Sequence, residues 1–462
     1  MKIIVTSVNK SGADKKITIS PERGDITFDR FIDTGKLKLL GQNYEFLSLI
    51  CGIFILEGLL RDGSYQNCVI DLNSKISVDI ELEYISPQQE LPLKTYFTYL
   101  LSFSLGLFLD LNIKSVGRKW QSTLIDTIKH DGAVCLFSGG ADSFTGILSS
   151  KATGIETIGV FVSHAMLRKL VEEELIPFMN SKGISIDIIK IPKGRSRLQQ
   201  LRGFVYTAIG TIVAHMHGMN KVIISEIGPV MFQPSYDILD EVTITTHPVT
   251  LELTRKIFGI LYRENFEYLT PFRTLTKAEA VSHVSNFELI KRTNSCRTTR
   301  YSNSEYPNCG KCLGCIIRRI SLIVAGIEDG KADGYAWDVF LRDENEPVMG
   351  RGEGWKIRLK SFSDLYQIFN FCDTFLRNSS SDVSLPKIKD YELNNLFTRF
   401  SLDVMSAAYL MYDKEKVGNN PIVNSFYNSL KSDGIINTEM LEKRISAVRN
   451  KEFHPVFYST FV

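Results

Sequence analysis

Ala133-Val134-Cys135-Leu136-Phe137-Ser138-Gly139-Gly140-Ala141-Asp142-Ser143 is the stretch on which the reading of this chain turns. Its first five residues form an apolar run of strand composition, and the FTGILSS after Ser143 reads as a helix. The two glycines between them let the backbone turn tightly and approach an anion. The hydroxyls of Ser138 and Ser143 and the N–H groups of the new helix would face that anion, which makes the turn a phosphate cradle. Asp142 suits such a place if a magnesium ion stands between it and a polyphosphate, because that ion takes hard oxygen ligands. A Walker loop is excluded, since no lysine follows the glycines and their spacing is wrong. The plainer alternative is a strand-to-helix turn that merely uses glycine. Agreement of strand, turn, hydroxyls and helix in one place favours the cradle.

Around this turn, residues 130–284 alternate β-branched runs (AVCLF, ETIGVFV, IDIIKI, KVIIS) with helical segments. Such alternation implies parallel pairing through right-handed crossovers, hence an α/β domain with a doubly wound parallel sheet. Residues 1–129 read as an α+β extension: VIDL and ISVDIELEYI have strand character, while Phe46 to Leu60 and Tyr96 to Leu109 read as buried helices. Both helical runs fall short of the roughly 18 uninterrupted apolar residues of a membrane span. Residues 285–325 are cysteine-rich and end in the apolar run CIIRRISLIVAGI. Residues 326–462 repeat helical patterns, SDLYQIFNFCDTFL and LFTRFSLDVMSAAYLMY among them, and predict a mainly helical C-terminal domain with a loop near Asn378 to Ser384.

Two further segments carry chemistry. In Thr270-Pro271-Phe272-Arg273-Thr274-Leu275-Thr276-Lys277-Ala278-Glu279, Thr276 and Glu279 form a capping-box pattern that puts Lys277 in the first turn of a helix. A cation there opposes the helix dipole, so a bound anion is a reasonable explanation for it. Cys296, Cys309, Cys312 and Cys315 crowd into twenty residues, with Gly310 and Gly314 easing the turns between them. Four thiolates at these spacings close a tetrahedron, and zinc is favoured over an iron–sulfur cluster; unligated or redox-active thiols are the alternative. Cys51, Cys68, Cys135 and Cys372 lie singly in apolar contexts and read as small buried hydrophobes.

Composition bounds the rest. The 462 residues suggest about three domains, and 44% apolar content is ample for buried cores. A net charge of +2 gives no global reason to expect direct nucleic-acid or membrane binding. The N-terminal MKIIVTSVNKSG lacks the apolar stretch of a secretory signal, so the expected location is the cytoplasm. Locally, Lys291 to Arg319 holds seven basic residues against the single acid Glu305; it reads as a solvated charged surface, with a face for an acidic partner as the alternative.

Taken in order, SGGADS, TP-x-x-x-LTKAE and SC-x12-CGxCxxCxxR (ending at Arg318) resemble the loop, the lysine segment and the C-terminal signature of the QueC family, the 7-cyano-7-deazaguanine synthases. These belong to the PP-loop ATP pyrophosphatases, which have a HUP-like core. The resemblance covers about residues 130–325. It implies that Ser138, Gly139, Gly140, Asp142 and Ser143 grip the departing pyrophosphate of ATP, that Asp142 and Lys277 are catalytic, and that Lys277, with Arg273 behind it, touches phosphate or substrate. It implies ATP, Mg2+ and Zn2+ as cofactors. Arg202, near a helix start, is either an exposed ion-pair residue or a substrate contact, and Glu226, at a strand end, leans to function. One departure stands out: after the second strand the family commonly has an aromatic-glycine-glutamine segment near the adenine, whereas this chain reads Phe161-Val162-Ser163-His164-Ala165. His164 reads first as a satisfied polar residue, and the glycine-rich GRGEGW at Gly350 is a weak nucleotide signal.

The resembled enzymes adenylate 7-carboxy-7-deazaguanine and let ammonia displace AMP. Long QueC-like proteins with extensions on both sides resemble those of bacterial anti-phage operons, the QatC type among them, which implies a partner protein from the same operon whose amine replaces ammonia. Housekeeping synthesis with free ammonia, a tRNA-thiolating enzyme and a catalytically silent nucleotide-binding scaffold are the alternatives. The thiolating enzyme is disfavoured because the clustered cysteines are used up in one metal site.

Overall fold

The computed structural model describes residues 2–8, 15–19, 41–61, 75–106, 109–116, 130–163, 171–191, 200–232, 246–284, 287–296, 308–328, 335, 339–341, 354–379, 391–414, 420–457 and 459. The first stretch is α+β. Strands β1 (Lys2–Val8) and β2 (Lys15–Ile19) pair antiparallel, β1 pairs antiparallel with β3 (Lys75–Leu82), and β3 pairs parallel with β4 (Leu109–Ser115), giving the order β2-β1-β3-β4. Helix α1 (Gln42–Arg61) buries Phe46, Leu47, Ile50, Ile53 and Phe54. Helix α2 (Pro87–Leu105) opens with a Ser86–Gln89 capping box and a proline at its first position, and ends at Gly106 in the left-handed region. Leu109, expected at the end of this apolar helix, instead opens β4: the left-handed glycine stops the helix, and the following LDLNI alternates buried and exposed faces. VIDL lies outside the described residues.

The second sheet is wholly parallel. Strands β5 (Gly132–Leu136), β6 (Glu156–Ser163), β7 (Ile186–Lys190), β8 (Lys221–Ile223) and β9 (Glu267–Leu269) lie in the order β7-β6-β5-β8-β9. This is the doubly wound order expected of the alternating pattern. Helices α3 (Ala141–Ala152), α4 (Ile176–Ser181), α5 (Arg202–Met216), the single turn α6 (Gly228–Met231) and α7 (Pro248–Tyr262) form its connections. Then come α8 (Lys277–Ser282), α9 (Phe287–Arg292) and α10 (Leu313–Val324). The C-terminal region is helical: α11 (Gly354–Ser379), α12 (Tyr391–Ala408), α13 (Pro421–Ser432) and α14 (Thr438–Arg449).

Central strand β5 shows how the layers are built. Side chains alternate across a strand, so Val134 faces one side while Ala133 and Cys135 face the other. Val134 belongs to a core shared with α5, α7, α1 and α2, where Phe97 of α2 meets Phe204 of α5 edge-on at 6.2 Å. Ala133 and Cys135 belong to a second core shared with α3 and α10 and with Phe369, Phe400, Val404 and Met405 of the C-terminal helices. Each flanking region therefore covers one face of the parallel sheet. Burial raises the Cys51, Cys135 and Cys372 thiols to about 12, in keeping with cysteines that act as apolar side chains; Cys68 lies outside the described residues.

Candidate active site

Strand β5 has β6 on one side and β8 on the other, so chain connections leave it in opposite directions and open a crevice at its C-terminal end. The Ser138 loop fills that position. Gly139 has φ +77°, and a Cβ there would come 2.5 Å from Val171 Cγ2, so both backbone and space require glycine. Gly140 is the N-cap of α3. Ser143 Oγ accepts from Ser138 N and donates to Gly140 O, both at 3.1 Å, and Ser138 Oγ accepts from Gly140 N at 3.3 Å. The loop is thereby shaped from within, with the start of α3 open toward the crevice.

Asp142, in the first turn of α3, meets Lys277, the first residue of α8. The Thr276–Glu279 capping box forms, with Glu279 N donating to Thr276 Oγ1 at 3.3 Å and Thr276 N donating to Glu279 Oε2 at 2.9 Å. It directs Lys277 Nζ to within 2.9 Å of Asp142 Oδ2, where the two side chains are only 8% and 17% exposed. Asp142 Oδ1 is buried and has no partner among the described residues. A buried carboxylate oxygen without a donor is costly unless something cationic meets it, so the donor set fits a hard divalent ion such as Mg2+.

Both residues line a cavity of about 340 Å3 that also takes in Ser138, Gly140, Arg202 and Glu226. Arg202 is the first residue of α5 and Glu226 follows β8, so helix start and strand end converge as the doubly wound order requires. Glu226 is pushed up to about 7: burial disfavours its charge and Asp142 repels it, with Lys277 and Arg202 pulling the other way. Phe161 and Val162, the residues that depart from the expected aromatic-glycine-glutamine segment, form part of the wall. His164 and Gly350 lie outside the described residues. Sequence reasoning missed Thr207 and Thr246, which line the cavity with buried hydroxyls that lack partners among the described residues. Thr207 lies within α5 and Thr246 in the turn before α7, and a lone threonine carries no signal of such a role until its element is placed.

Arg273 is set apart from this group. Its guanidinium lies over the Phe232 ring, 5.6 Å from the centroid, and it is absent from the cavity wall, so the geometry gives no support to a phosphate contact by this residue.

The four cysteines come together as their spacing suggested. Sγ atoms of Cys296, Cys309, Cys312 and Cys315 all lie within 4.8 Å of one another, with Cys309 and Cys315 at 3.8 Å and Cys312 and Cys315 at 3.5 Å. A Zn–S bond of about 2.3 Å places tetrahedral sulfurs about 3.8 Å apart, so the set could hold zinc. Hydrogen bonds from Cys296, Cys312 and Cys315 hold the Cys309 thiol far below its usual range, as expected of a thiolate that serves as a ligand. Cys296 itself lines the cavity, next to Asn294 and Ser295. Asn294 N donates to Gly139 O at 2.9 Å, which ties the cysteine segment to the phosphate loop.

Two members of the basic run around the cysteines, Lys311 and Arg318, are drawn inward, whereas Lys291, Arg292 and Arg319 stay partly exposed. Arg318 is fully buried and donates to Thr293 Oγ1 and Ile290 O, both at 2.7 Å. Lys311 is buried, Arg292 forms a two-pronged pair with Glu174 at 2.7 and 2.9 Å, and Arg319 lies over Tyr335. Arg297, Arg300 and Glu305 lie outside the described residues.

A doubly wound parallel sheet thus carries a glycine-serine turn at its switch point, facing a lysine and an aspartate, a place suited to an anion. In comparison with known proteins, residues 194–326 match the family model described as "Queuosine biosynthesis protein QueC". This span contains Arg202, Glu226, Lys277 and all four clustered cysteines but begins after the loop at Ser138. The chain is also 25% identical over 193 residues to a GMP synthase [glutamine-hydrolyzing] of Chlorobium phaeovibrioides (strain DSM 265 / 1930), a stretch that spans 38% of this chain and 36% of that protein. Both likenesses cover less than half of this chain, and the second spans about a third of the length of the relative. Among the described residues no helix is long and apolar enough to cross a membrane.

Proposed function

We propose that this protein adenylates a carboxylate, of the 7-carboxy-7-deazaguanine class, and transfers the activated acyl group to an amine. The observation that carries the reading is the Lys277–Asp142 pair at the edge of the cavity, with Asp142 Oδ1 buried and without a hydrogen-bond partner among the described residues. A carboxylate resists attack by amines because oxide is a poor leaving group; AMP is a good one. The substrate carboxylate attacks the α-phosphorus of ATP, the α–β phosphoanhydride bond breaks, and its electron pair leaves on pyrophosphate. Backbone N–H groups at the start of α3 and the Lys277 ammonium receive that developing charge, in a site already organised for it. Asp142 and the phosphates would hold Mg2+, which when bound supplies further charge neutralisation. The amine then attacks the acyl carbon, AMP departs, and the amine sheds a proton. Glu226, with its carboxyl near neutrality, is placed to take it.

The amine is proposed to belong to a protein encoded in the same operon, in an anti-phage setting. That finer reading rests on the resemblance to long QueC-like proteins. Purified protein given ATP, Mg2+ and 7-carboxy-7-deazaguanine should release pyrophosphate, and the operon partner should gain the mass of the acyl group. Pyrophosphate release with free ammonia as the sole acceptor points to the housekeeping reaction. No pyrophosphate with any carboxylate tried points to a silent scaffold.

A further inference from the structure

We propose that the two flanking regions complete the active site at one remove: Glu57 from the N-terminal layer, and Arg399 with Arg444 from the C-terminal helices, position the turns that carry Arg202 and Lys277. This inference rests on the reading of the cavity as an adenylation site.

Arg202 and Lys277 share an awkward setting. Each is the first residue of its helix, where the unsatisfied N–H groups already present positive charge. Lys277 is buried and Arg202 is exposed, and behind each helix start lies a buried negative group. For α5 that group is Glu57, a residue of α1 only 1% exposed, whose carboxylate accepts from Gln200 N and, at 3.1 Å, from Leu201 N. A side chain 143 positions away in sequence thus caps the helix from outside.

For α8 the local carboxylate is Glu279, again 1% exposed, and the burial of its charge is matched from the C-terminal region. Arg444 of α14 donates to Glu279 Oε1 at 2.7 Å and to Asp403 Oδ1 at 2.8 Å. Arg399 of α12 pairs with Glu279 and donates to Thr274 O at 2.7 Å, so it grips the turn on both sides of Thr276. Phe453 lies against both guanidinium groups, at 4.6 and 5.1 Å from its ring centroid. Two arginines and two carboxylates face one another in a largely buried site, with Arg399 partly exposed, an arrangement that fixes geometry because removing one member leaves another charge unpaired. The helix so held is the one that aims Lys277 at Asp142.

The test compares Glu57→Gln and Arg399→Lys with Glu45→Gln. Glu45 is a comparably buried carboxylate that accepts from Glu83 N and Tyr84 N within the N-terminal layer and does not line the cavity. Glutamine at 57 keeps one acceptor oxygen of two. Lysine at 399 reaches Glu279 but cannot also span to Thr274 O. Expected for Glu57→Gln is a rise of at least fivefold in the KM of the carboxylate substrate with kcat within twofold. Expected for Arg399→Lys is a fall of at least fivefold in kcat for pyrophosphate release with the KM for ATP within twofold, while Glu45→Gln leaves all constants within twofold even if its Tm falls. Amide hydrogen exchange read on the same proteins should quicken at least tenfold at 200–206 in Glu57→Gln and at 274–280 in Arg399→Lys. Unchanged exchange in both segments overturns the proposal, as do kinetic constants that follow Tm alike in all three variants. A wild-type protein that releases no pyrophosphate refutes the adenylation reading, and the exchange measurement still decides the positioning.

Discussion

Asp142 carries two loads that its charge separates: its Oδ2 neutralises a nearly buried lysine, and its Oδ1 is buried without a hydrogen-bond partner among the described residues. Asp142→Asn keeps the shape and removes the charge. Pyrophosphate release should fall about 100-fold or more, the size of effect seen when a preorganised charge-stabilising group is lost, while circular dichroism shows the wild-type fold. Unchanged release would show that the loop is only a turn. Glu226 offers a test without any substrate. Its carboxyl is raised from 4.5 to about 7, so the folded chain holds a proton there that the unfolded chain has lost; the stabilisation is complete below about pH 4.5 and is lost as pH rises through about 7. Relative to wild type, Glu226→Gln should therefore gain stability between pH 5 and pH 8, by about 1–3 kcal/mol. Urea unfolding at the two pH values measures this, and a wild-type-minus-variant difference that does not move with pH would count against it.

At the scale of elements, the cysteine segment and the phosphate loop behave as one unit. Thr293 is held by Arg318 and Asn308, and the next residue, Asn294, donates to Gly139 O. The protein should contain one zinc per chain by elemental analysis; iron–sulfur absorption in place of zinc would overturn the assignment. Chelation, or Cys312→Ser, should speed hydrogen exchange at 137–144 before the sheet opens, since losing the metal frees the segment that braces the loop. Much of this level was legible beforehand. A strand-turn-helix with two glycines, a capping box and four cysteines are local patterns whose geometry is set within a few residues. Strand β9 was not foreseen, because three residues, Glu267–Leu269, carry too short a pattern to stand out. Strand β4 was hidden behind a helix of similar apolar content until Gly106 stopped it.

The whole molecule revises what the extensions are for. An isolated core of about two hundred residues was the natural unit of the sequence, with additional domains beside it. In the folded chain the parallel sheet has its faces covered from both ends of the sequence, and Phe369, Phe400, Val404 and Met405 share a core with Cys135 and Ile320. Deleting everything after Ala325 would uncover many such side chains. Each is worth about 1.5–3 kcal/mol, against a total stability of about 5–15 kcal/mol for an ordinary domain. The truncated chain should be insoluble or lack cooperative unfolding by calorimetry; a soluble truncation with a sharp transition would show that the C-terminal helices are an independent domain.

The sequence by itself determined the doubly wound class, the cradle at Ser138, the placement of Lys277 at a helix start and the four-cysteine cluster. The turn, the helix start and the cysteine cluster depend on contacts between near neighbours, and the sheet class shows in the alternation of strand and helix patterns although its strands pair at long range. Only the tertiary structure decided that Arg202 and Glu226 meet Asp142 and Lys277 in one cavity, that Arg273 turns away to Phe232, and that Glu57, Arg399 and Arg444 reach the site's supports. Glu57, Arg399 and Arg444 each lie more than a hundred residues along the chain from the turns they hold, and no local pattern records a contact made when two distant helices bury their charges against each other.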